Sequence, residues 1–446
     1  MRATTVAVIG AGWAGCAAAV ELARTGAKVT LYEAARIAGG RARRIDYQGN
    51  ALDNGQHILL GAYRESLRIM RTVGLQPSQL LMRLPLQMRY PKSENGMDLL
   101  APRLPAPLHL ALGVLRARGL SLADKLSLAR FASAARWMGW QLHRDCTVSE
   151  LLERFEQTDR LIRWMWRPLC IAALNTPPER ASAKVFLAVL RDSLGASRAA
   201  SDMLLPRTDL SALFPDAAVA WLEKHGSNVM LGNRVSAIHA DDSGWKITSE
   251  RHTERHSDHY QHVVIATSAT HAQSLVLEID DALADTLEFE YEAITTCYLQ
   301  YAPTVRLPAP MLALRDDPDS QRWGQFVFDR GQLDDKQAGL LAVVISASGM
   351  ATESGAQLLE ASVAQQLAHD LQMPELATPL WSKAITEKRA TFACVPDLQR
   401  PPNATAHRGL WLAGDYTESE YPATIEGAVR SGLKVAADIL GRTVSV

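Results

Sequence analysis

At 446 residues the chain is long enough for two or three structural units rather than one. A hydrophobic share of 47% and a charged share of 21% supply a large core and exclude intrinsic disorder, and a formal net charge of −1, from 47 basic and 48 acidic residues, implies no polyanionic partner such as nucleic acid. The five cysteines, Cys16, Cys146, Cys170, Cys297 and Cys394, form no CxxC pair, which suits a reducing compartment and offers no metal centre.

Val6 to Ile9 read as a buried strand, and Gly10, Ala11, Gly12, Trp13, Ala14 and Gly15 spell GxGxxG at its turn into a helix running from Ala14 to Arg24. Gly10 takes the tight turn, Gly12 lets a pyrophosphate approach the backbone, and Gly15 lets the helix pack on the strand, while the helix N-terminus aims its amides at the phosphate. After Gly26 a second strand, Lys28 to Tyr32, ends in Glu33, placed to hold the hydroxyls of an unphosphorylated ribose, as in FAD or NAD. A strand-helix-strand unit with no ligand is the alternative. The uncharged run from 3 to 20 after Arg2 has the look of a short signal peptide, but the glycine spacing explains it better. With no other apolar run long enough to cross a bilayer, a cytoplasmic protein is expected, free to rest on a membrane surface. Cys16, at the head of the helix, reads as a small buried apolar side chain or a reactive thiol.

Past Glu33 and Ala34 come Gly39, Gly40, Arg41, Ala42 and Arg43. An acid-ended strand followed by GGRxR resembles the FAD fingerprint of the amine oxidase and carotenoid desaturase superfamily. The paired glycines permit close backbone approach, and Arg41 or Arg43 can form charge-assisted bonds to a diphosphate. A solvated basic cluster is the other reading of Arg43 and Arg44. The next segment, Leu52 to Tyr63, is similar to the superfamily stretch beside the isoalloxazine ring, which implies flavin contact by Gly55, Gln56, His57 and Ile58. Without that resemblance, His57 reads equally as a satisfied core histidine.

Residues 64 to 74 form a short helical pattern ending at Gly74, and 75 to 100 alternate strand-like pieces with turns. From 101 to 145 leucines, Phe131, Trp137 and Trp140 mix with seven Lys or Arg and only two acids, the composition of a helical surface that enters a headgroup layer, or of a buried helical lid. Val148 to Leu174 reads as one helical run, stopped by Asn175, Thr176, Pro177 and Pro178; helices follow over Ala183 to Leu194 and Leu210 to His225, the second stopped by Gly226. Strands are expected at Val229 to Leu231, Asn233 to Ile238, Trp245 to Thr248 and Val263 to Thr267, and the resemblance implies that the backbone of Val235 meets the adenine end. The charged stretch from Glu250 to His262, with His252, His256, His259 and His262, is expected as a solvated loop rather than a metal site. Between 285 and 395, strands at Thr295 to Tyr301, Gln325 to Asp329 and Leu340 to Ser346, with a helix from Gly355 to Leu371, predict an antiparallel sheet with a covering helix.

The last motif, LAGDYTESEYPATIEG, resembles the superfamily's C-terminal FAD motif. The resemblance implies contacts from Gly414, Asp415, Thr424, Ile425 and Ala428, with a helix starting near Ala423 aimed at the flavin and favouring its anionic reduced form. No Cys or His lies there, so the FAD is expected to be non-covalent.

The expected fold is α/β: a discontinuous, Rossmann-like FAD-binding domain over 1–75, 200–270 and 405–446, plus an α+β substrate domain over 76–199 and 271–404 with a helical, membrane-facing cap at 101–180. GAGWAG, GGRARR, LDNGQHILLGAYRE, LLPRTDLSALFP and LAGDYTESEYPATIEGAVRSG are similar to the squalene-associated, FAD-dependent desaturase family. That implies reductive removal of the hydroxyl of hydroxysqualene, a C30 isoprenoid, to give squalene in bacterial hopanoid synthesis, with an electron donor the sequence does not identify. A general acid must reach the leaving oxygen, and His57 and Asp53 come first, Glu418 and Glu420 second, the last two reading equally as loop solvation. An oxidative polyene desaturase or amine oxidase, and a flavin-binding scaffold without turnover, are the competing functions.

Overall fold

A parallel sheet gathers strands from the start, middle and end of the chain in the computed structural model, which describes residues 3–92, 96–251 and 254–442. Its order is Asn228–Leu231, β2 (Lys28–Glu33), β1 (Thr5–Ile9), His262–Ile265, Leu410–Leu412. Val8 of β1 lies between Leu31 and Val264, so its backbone is paired on both sides. The period-two alternation of the strand divides its apolar side chains: Val6 and Val8 join the cluster under the helix α1 (Trp13–Arg24), whereas Ala7 and Ile9 join the cluster on the other face with Val235, Ile247 and Tyr260.

Helices α1, Pro215–Lys224 and Ile425–Ile439 cover the first face. The C-terminal helix approaches α1 so closely that a Cβ on Gly432 would lie 2.2 Å from the Ala14 carbonyl oxygen. Its first turn also locks a third element. Glu426, fully buried, accepts bonds from the Glu65 and Ser66 amides at 3.1 and 2.9 Å and from the Ser66 hydroxyl at 2.7 Å, and pairs with Arg430 at 2.8 Å. These are the orphan donors at the start of the helix Arg64–Thr72, whose own N-cap has no side-chain acceptor.

The second face is covered by a meander of three antiparallel strands, Arg234–Asp241, Gly244–Arg251 and Glu254–Tyr260. The last of these corrects the loop expected from Glu250 to His262. Six of its seven residues are exposed because it is an edge strand, so no apolar alternation marks it, and only Tyr260 turns inward to meet the Tyr32 hydroxyl at 2.7 Å. His256 lies 3.7 Å from Glu254 and His259 lies 2.7 Å from Asp241, while His252 is outside the described residues. Among the described residues no group of three His, Cys, Asp or Glu side chains is placed to hold a metal.

A second, antiparallel sheet has the order Met311–Ala313, Phe326–Asp329, Leu340–Ser346, Tyr291–Gln300, Trp381–Phe392, with the helix Ala356–Leu371 packed on it. The twelve-residue strand Trp381–Phe392 is missing from the sequence reading, since WSKAITEKRATF carries charge on a half-buried surface. Two expected helices are divided. The run from Val148 breaks after Arg154, Glu156 takes a left-handed φ of 49°, and Thr158 caps a new start; the run from Leu210 breaks at Phe214, before Pro215. No helix among the described residues is long and apolar enough to cross a membrane.

Candidate active site

Of the three glycines in the turn after β1, two sit where no side chain fits. Gly10 has φ +104° and donates its N–H to the Tyr32 carbonyl at 2.7 Å; a Cβ there would meet the Ala266 oxygen at 2.7 Å, and one on Gly15 would lie 1.9 Å from the Gly10 oxygen. At Gly12 a Cβ would meet only the Gly40 Cα, at 3.9 Å. Gly12 also caps α1 without a side-chain acceptor, and the first turn carries no acid, so the leading amides of the helix face an open approach lined by backbone. That is the arrangement a diphosphate requires, and it fits FAD on the chain's own geometry.

The second glycine pair interlocks with the first, the Gly39 amide donating to the Ala11 carbonyl at 2.8 Å. Trp13 is buried, its indole N–H on the Ala42 carbonyl at 3.3 Å and its ring 5.0 Å from that of Phe214, so it ties this second turn to α1. Glu33 accepts the Ala11 and Ala35 amides, both at 2.8 Å, holding the acid at the mouth of the turn beside exposed Ala34. The Asn233 amide bonds the Glu33 carbonyl at 2.8 Å and brings Val235, buried at a bulge in its strand, to the same edge.

Arg41 joins the two ends of the chain. One guanidinium nitrogen lies 2.6 Å from each Asp415 oxygen, and the other bonds the Ala390 carbonyl at 2.6 Å. Burial works against the Arg41 charge, and Asp415 more than restores it, raising the pKa above the ordinary arginine value. Arg43 turns back to the Gly40 carbonyl. Behind Asp415, Arg400 bonds the carbonyls of Ser419 and Tyr421 and lies over the Phe392 ring, fixing the loop that leads to Thr424. Thr424 caps the C-terminal helix by accepting the Gly427 amide at 3.0 Å, with Ile425 and Ala428 in its first turn.

The Asn54–Ile58 segment leaves the strand Asn50–Asp53 and crosses to the antiparallel sheet, where the Gln56 amide bonds the Thr296 hydroxyl at 3.1 Å. His57 Nδ1 lies 2.7 Å from the Gly55 carbonyl, which only an N–H can satisfy, so the neutral ring keeps Nε2 as its basic atom. Burial lowers the pKa of His57 below the usual histidine value, with Arg41 acting in the same direction against the Gly55 bond. Asp53 is 4% exposed; its carboxylate accepts the Leu210 amide at 2.8 Å, and its backbone meets the Tyr298 hydroxyl. Burial pushes its pKa up to about 7 despite the nearby Arg330 charge. Arg330, itself buried, bonds Gln56 Oε1 at 3.2 Å. Glu418 and Glu420 stand exposed on the last loop, and Glu420 pairs with Arg191 at 2.8 Å. Cys16 is fully buried, and burial raises its pKa, as a packed thiol requires.

Arg400, Arg330, Thr296, Glu426 and Tyr416 escaped the sequence reading. Of these only Tyr416 and Glu426 carry a local signal, as members of the last motif. A cavity of about 410 Å³ lies between Trp140, the helix Ala183–Leu190 and Arg400, reaching the last motif at Ser419 and Glu420. A smaller hollow of about 220 Å³ beside Tyr90, Arg163 and Arg315 touches none of the motif residues. On the helices Leu108–Arg116 and Leu122–Trp137, Leu108, Leu115, Leu122 and Leu126 are exposed and Trp137 is 90% exposed. Arg116, Arg118 and Arg130 are exposed among them, Arg130 lying 3.4 Å from Glu156, and Lys125 bonds the Leu115 carbonyl.

Comparison with known proteins matches residues 13–440 to the family of flavin containing amine oxidoreductases. The chain is 31% identical to hydroxysqualene dehydroxylase of Rhodopseudomonas palustris, covering 97% of both chains, and 27% identical to that of Zymomonas mobilis, covering 97% of this chain and 98% of the other. Zeta-carotene desaturase of Zea mays is 36% identical over 27% of this chain and 21% of its own length. Among solved structures, an oxidoreductase from Methanosarcina mazei superimposes with a TM-score of 0.71 at 16% identity over 97% of this chain and 99% of the other. Putrescine oxidase with putrescine bound gives a TM-score of 0.69 at 16% identity over 98% and 99%; both show the fold.

Proposed function

The chain belongs to the flavin-containing amine oxidoreductase family and is an FAD-dependent oxidoreductase, and from that premise we propose that it reduces hydroxysqualene to squalene. The observation that carries this reading is the reach of the similarity: hydroxysqualene dehydroxylases run beside 97% of the chain, whereas zeta-carotene desaturase matches 27% of it.

In this reading the Gly10 to Gly15 turn, with the amides of Ala11, Trp13 and Ala14, holds the FAD diphosphate, and Glu33 with Ala34 and Val235 holds the adenosine end. Gly40, Arg41, Arg43, Gly414 and Asp415 hold the chain between, and Gly55 to Ile58 with Thr424, Ile425 and Ala428 border the ring. Reduced FAD supplies a hydride when bound. With that hydride replacing the hydroxyl on carbon, loss of the hydroxyl as water would require one proton, which the chain must deliver to the leaving oxygen. His57 is the proton donor of choice. Its Nδ1 is held by Gly55, so the proton comes and goes at Nε2, and burial makes the charged ring a stronger acid than free imidazolium. Asp53 acts as a positioning residue, holding the Leu210 amide and the peptide that leads to His57. Glu418 and Glu420 stand second because solvent reaches both. Each turnover consumes two electrons, so a separate reductant must restore the flavin.

Anaerobic mixing tests the reaction. Prereduced enzyme is expected to recover its oxidised flavin spectrum on adding hydroxysqualene, with squalene formed in equal amount. Bleaching of oxidised enzyme by a polyene or an amine would replace this reading with desaturation or amine oxidation, and no response to either would leave a scaffold.

The same reading rests the helices Leu108–Arg116 and Leu122–Trp137 on the inner face of the cytoplasmic membrane, since a C30 isoprenoid loses about 0.8 kcal/mol per methylene on entering water. Exposed leucines and Trp137 support apolar attachment, and each nearby Lys or Arg adds roughly 1 kcal/mol on an anionic leaflet. Charge reversal at Arg116, Arg118, Lys125 and Arg130 together is expected to weaken binding to anionic liposomes and leave FAD bound. A wild-type protein that ignores such liposomes at low salt would make these helices an ordinary cap.

A further inference from the structure

Tyr416 follows Asp415, and its ring folds back over Gly414, where a Cβ would lie 2.5 Å from the ring. Gly414 follows the strand Leu410–Leu412 at the carboxyl edge of the parallel sheet, the edge at which open α/β sheets take their ligands. The side chain is 3% exposed and packs on Phe289, with ring centroids 6.4 Å apart.

The hydroxyl has no hydrogen-bond partner among the described residues. Among the described residues the buried Ser249 hydroxyl shares this condition, whereas the other buried tyrosines do not. The buried hydroxyls of Tyr32 and Tyr260 bond each other, and those of Tyr90, Tyr298 and Tyr301 reach the carbonyls of Trp164, Asp53 and Leu376. Next to Tyr416 the Thr417 hydroxyl is shared with Ser431 and Gly414, and the Asp415 carboxylate is taken by Arg41. A buried hydroxyl without a partner is unfavourable, and phenylalanine fills the same volume without that penalty. The hydroxyl therefore points to a partner that is not protein. Burial raises its pKa, and the neighbouring Asp415 and Tyr291 add to the shift against Arg41, so it is a neutral donor across the physiological range.

We propose that the Tyr416 hydroxyl donates a hydrogen bond to an oxygen in the sugar–diphosphate chain of FAD, making Tyr416 a cofactor-positioning residue. The inference rests on FAD use and not on which substrate is reduced. Its place beside the Arg41–Asp415 pair and on Gly414 favours the cofactor over the substrate as the acceptor.

Tyr416→Phe in the full-length protein separates the roles, using FAD affinity from flavin fluorescence and melting temperatures with and without FAD. The expected result is a Kd for FAD weakened about tenfold, the loss of one hydrogen bond, with the FAD-free protein melting at the same temperature or higher. The stabilisation produced by FAD is then smaller in the variant than in the wild type. An unchanged Kd would overturn the proposal, and if it came with a raised KM it would assign the hydroxyl to the substrate. A lower melting temperature or failure to fold without FAD would also overturn it, by showing that the hydroxyl supports the protein itself.

Discussion

The glycine turns at the carboxyl edge of the parallel sheet and the Asn54–Ile58 segment that passes them are built by opposite means. The turns work by excluding side chains: a Cβ on Gly10 would lie 2.7 Å from the Ala266 oxygen and one on Gly15 1.9 Å from the Gly10 oxygen. The segment and the strand end before it work by collecting groups from far along the chain, with the Thr296 hydroxyl on the Gln56 amide, the Arg330 guanidinium on the Gln56 side chain and the Leu210 backbone amide on the Asp53 carboxylate. Backbone exclusion makes a rigid cradle, because close-packed backbone leaves its glycines no alternative residue. Side-chain assembly makes a region whose protonation depends on burial, and burial is set by the whole molecule.

The sharpest way to break this comparison is to put side chains into the cradle. Gly15→Val forces a branched chain against the Gly10 oxygen, costs on the order of 3 kcal/mol or more, and is expected to yield no soluble folded protein. Gly12→Val is expected to purify without FAD and to melt by circular dichroism like the FAD-free wild type, since its Cβ meets only Gly40. Equal stability of the two variants would show that the turn is not set by backbone contact.

Glu426→Ala probes the junction where the C-terminal motif grips the helix Arg64–Thr72. It strands two amides, the Ser66 hydroxyl and Arg430, and should lower unfolding free energy by about 3–5 kcal/mol in urea titration. A loss under 1 kcal/mol, on the scale of a surface ion pair, would remove this lock from the account.

The Asn54–Ile58 region is tested by pH. Asp53 has a folded-state pKa raised to about 7 from the ordinary 3.8, so its contribution to stability is complete below the ordinary value and is lost as pH rises through 7. Asp53→Asn does not titrate and keeps an acceptor for Leu210. Relative to wild type it should gain stability from pH 4 to 7, by up to about 4 kcal/mol, and then level off. A pH-independent difference would show that the carboxylate is not held in this way.

His57→Gln is the finest test. With His57 as the acid, the wild-type rate rises as pH falls through its lowered pKa, and the variant loses that limb and about a hundredfold in kcat. A limb centred near pH 7 that survives in the variant would transfer the proton to Asp53.

The elements that were legible in the chain are those whose information is local. GAGWAG between a strand and a helix, Glu33 at a strand end, and LAGDYT before the last helix each carry their meaning within a few residues. The strand Glu254–Tyr260 was hidden because an exposed edge needs no apolar alternation, and the strand Trp381–Phe392 because its charged side chains lie on a half-buried surface. The break at Phe214 was marked by Pro215, yet a single helical run was the simpler pattern.

By itself the sequence determined the glycine turns and the family, because glycines and a terminal acid answer to backbone sterics and short-range hydrogen bonding. Only the tertiary structure decided that Arg41 meets Asp415 across 374 residues, that Asp53 is buried under the Leu210 amide while Glu418 and Glu420 stand in water, and that the Tyr416 hydroxyl has no hydrogen-bond partner among the described residues. The physical reason is that desolvation and long-range pairing are properties of packed neighbours, and neighbours in space are not neighbours in the chain.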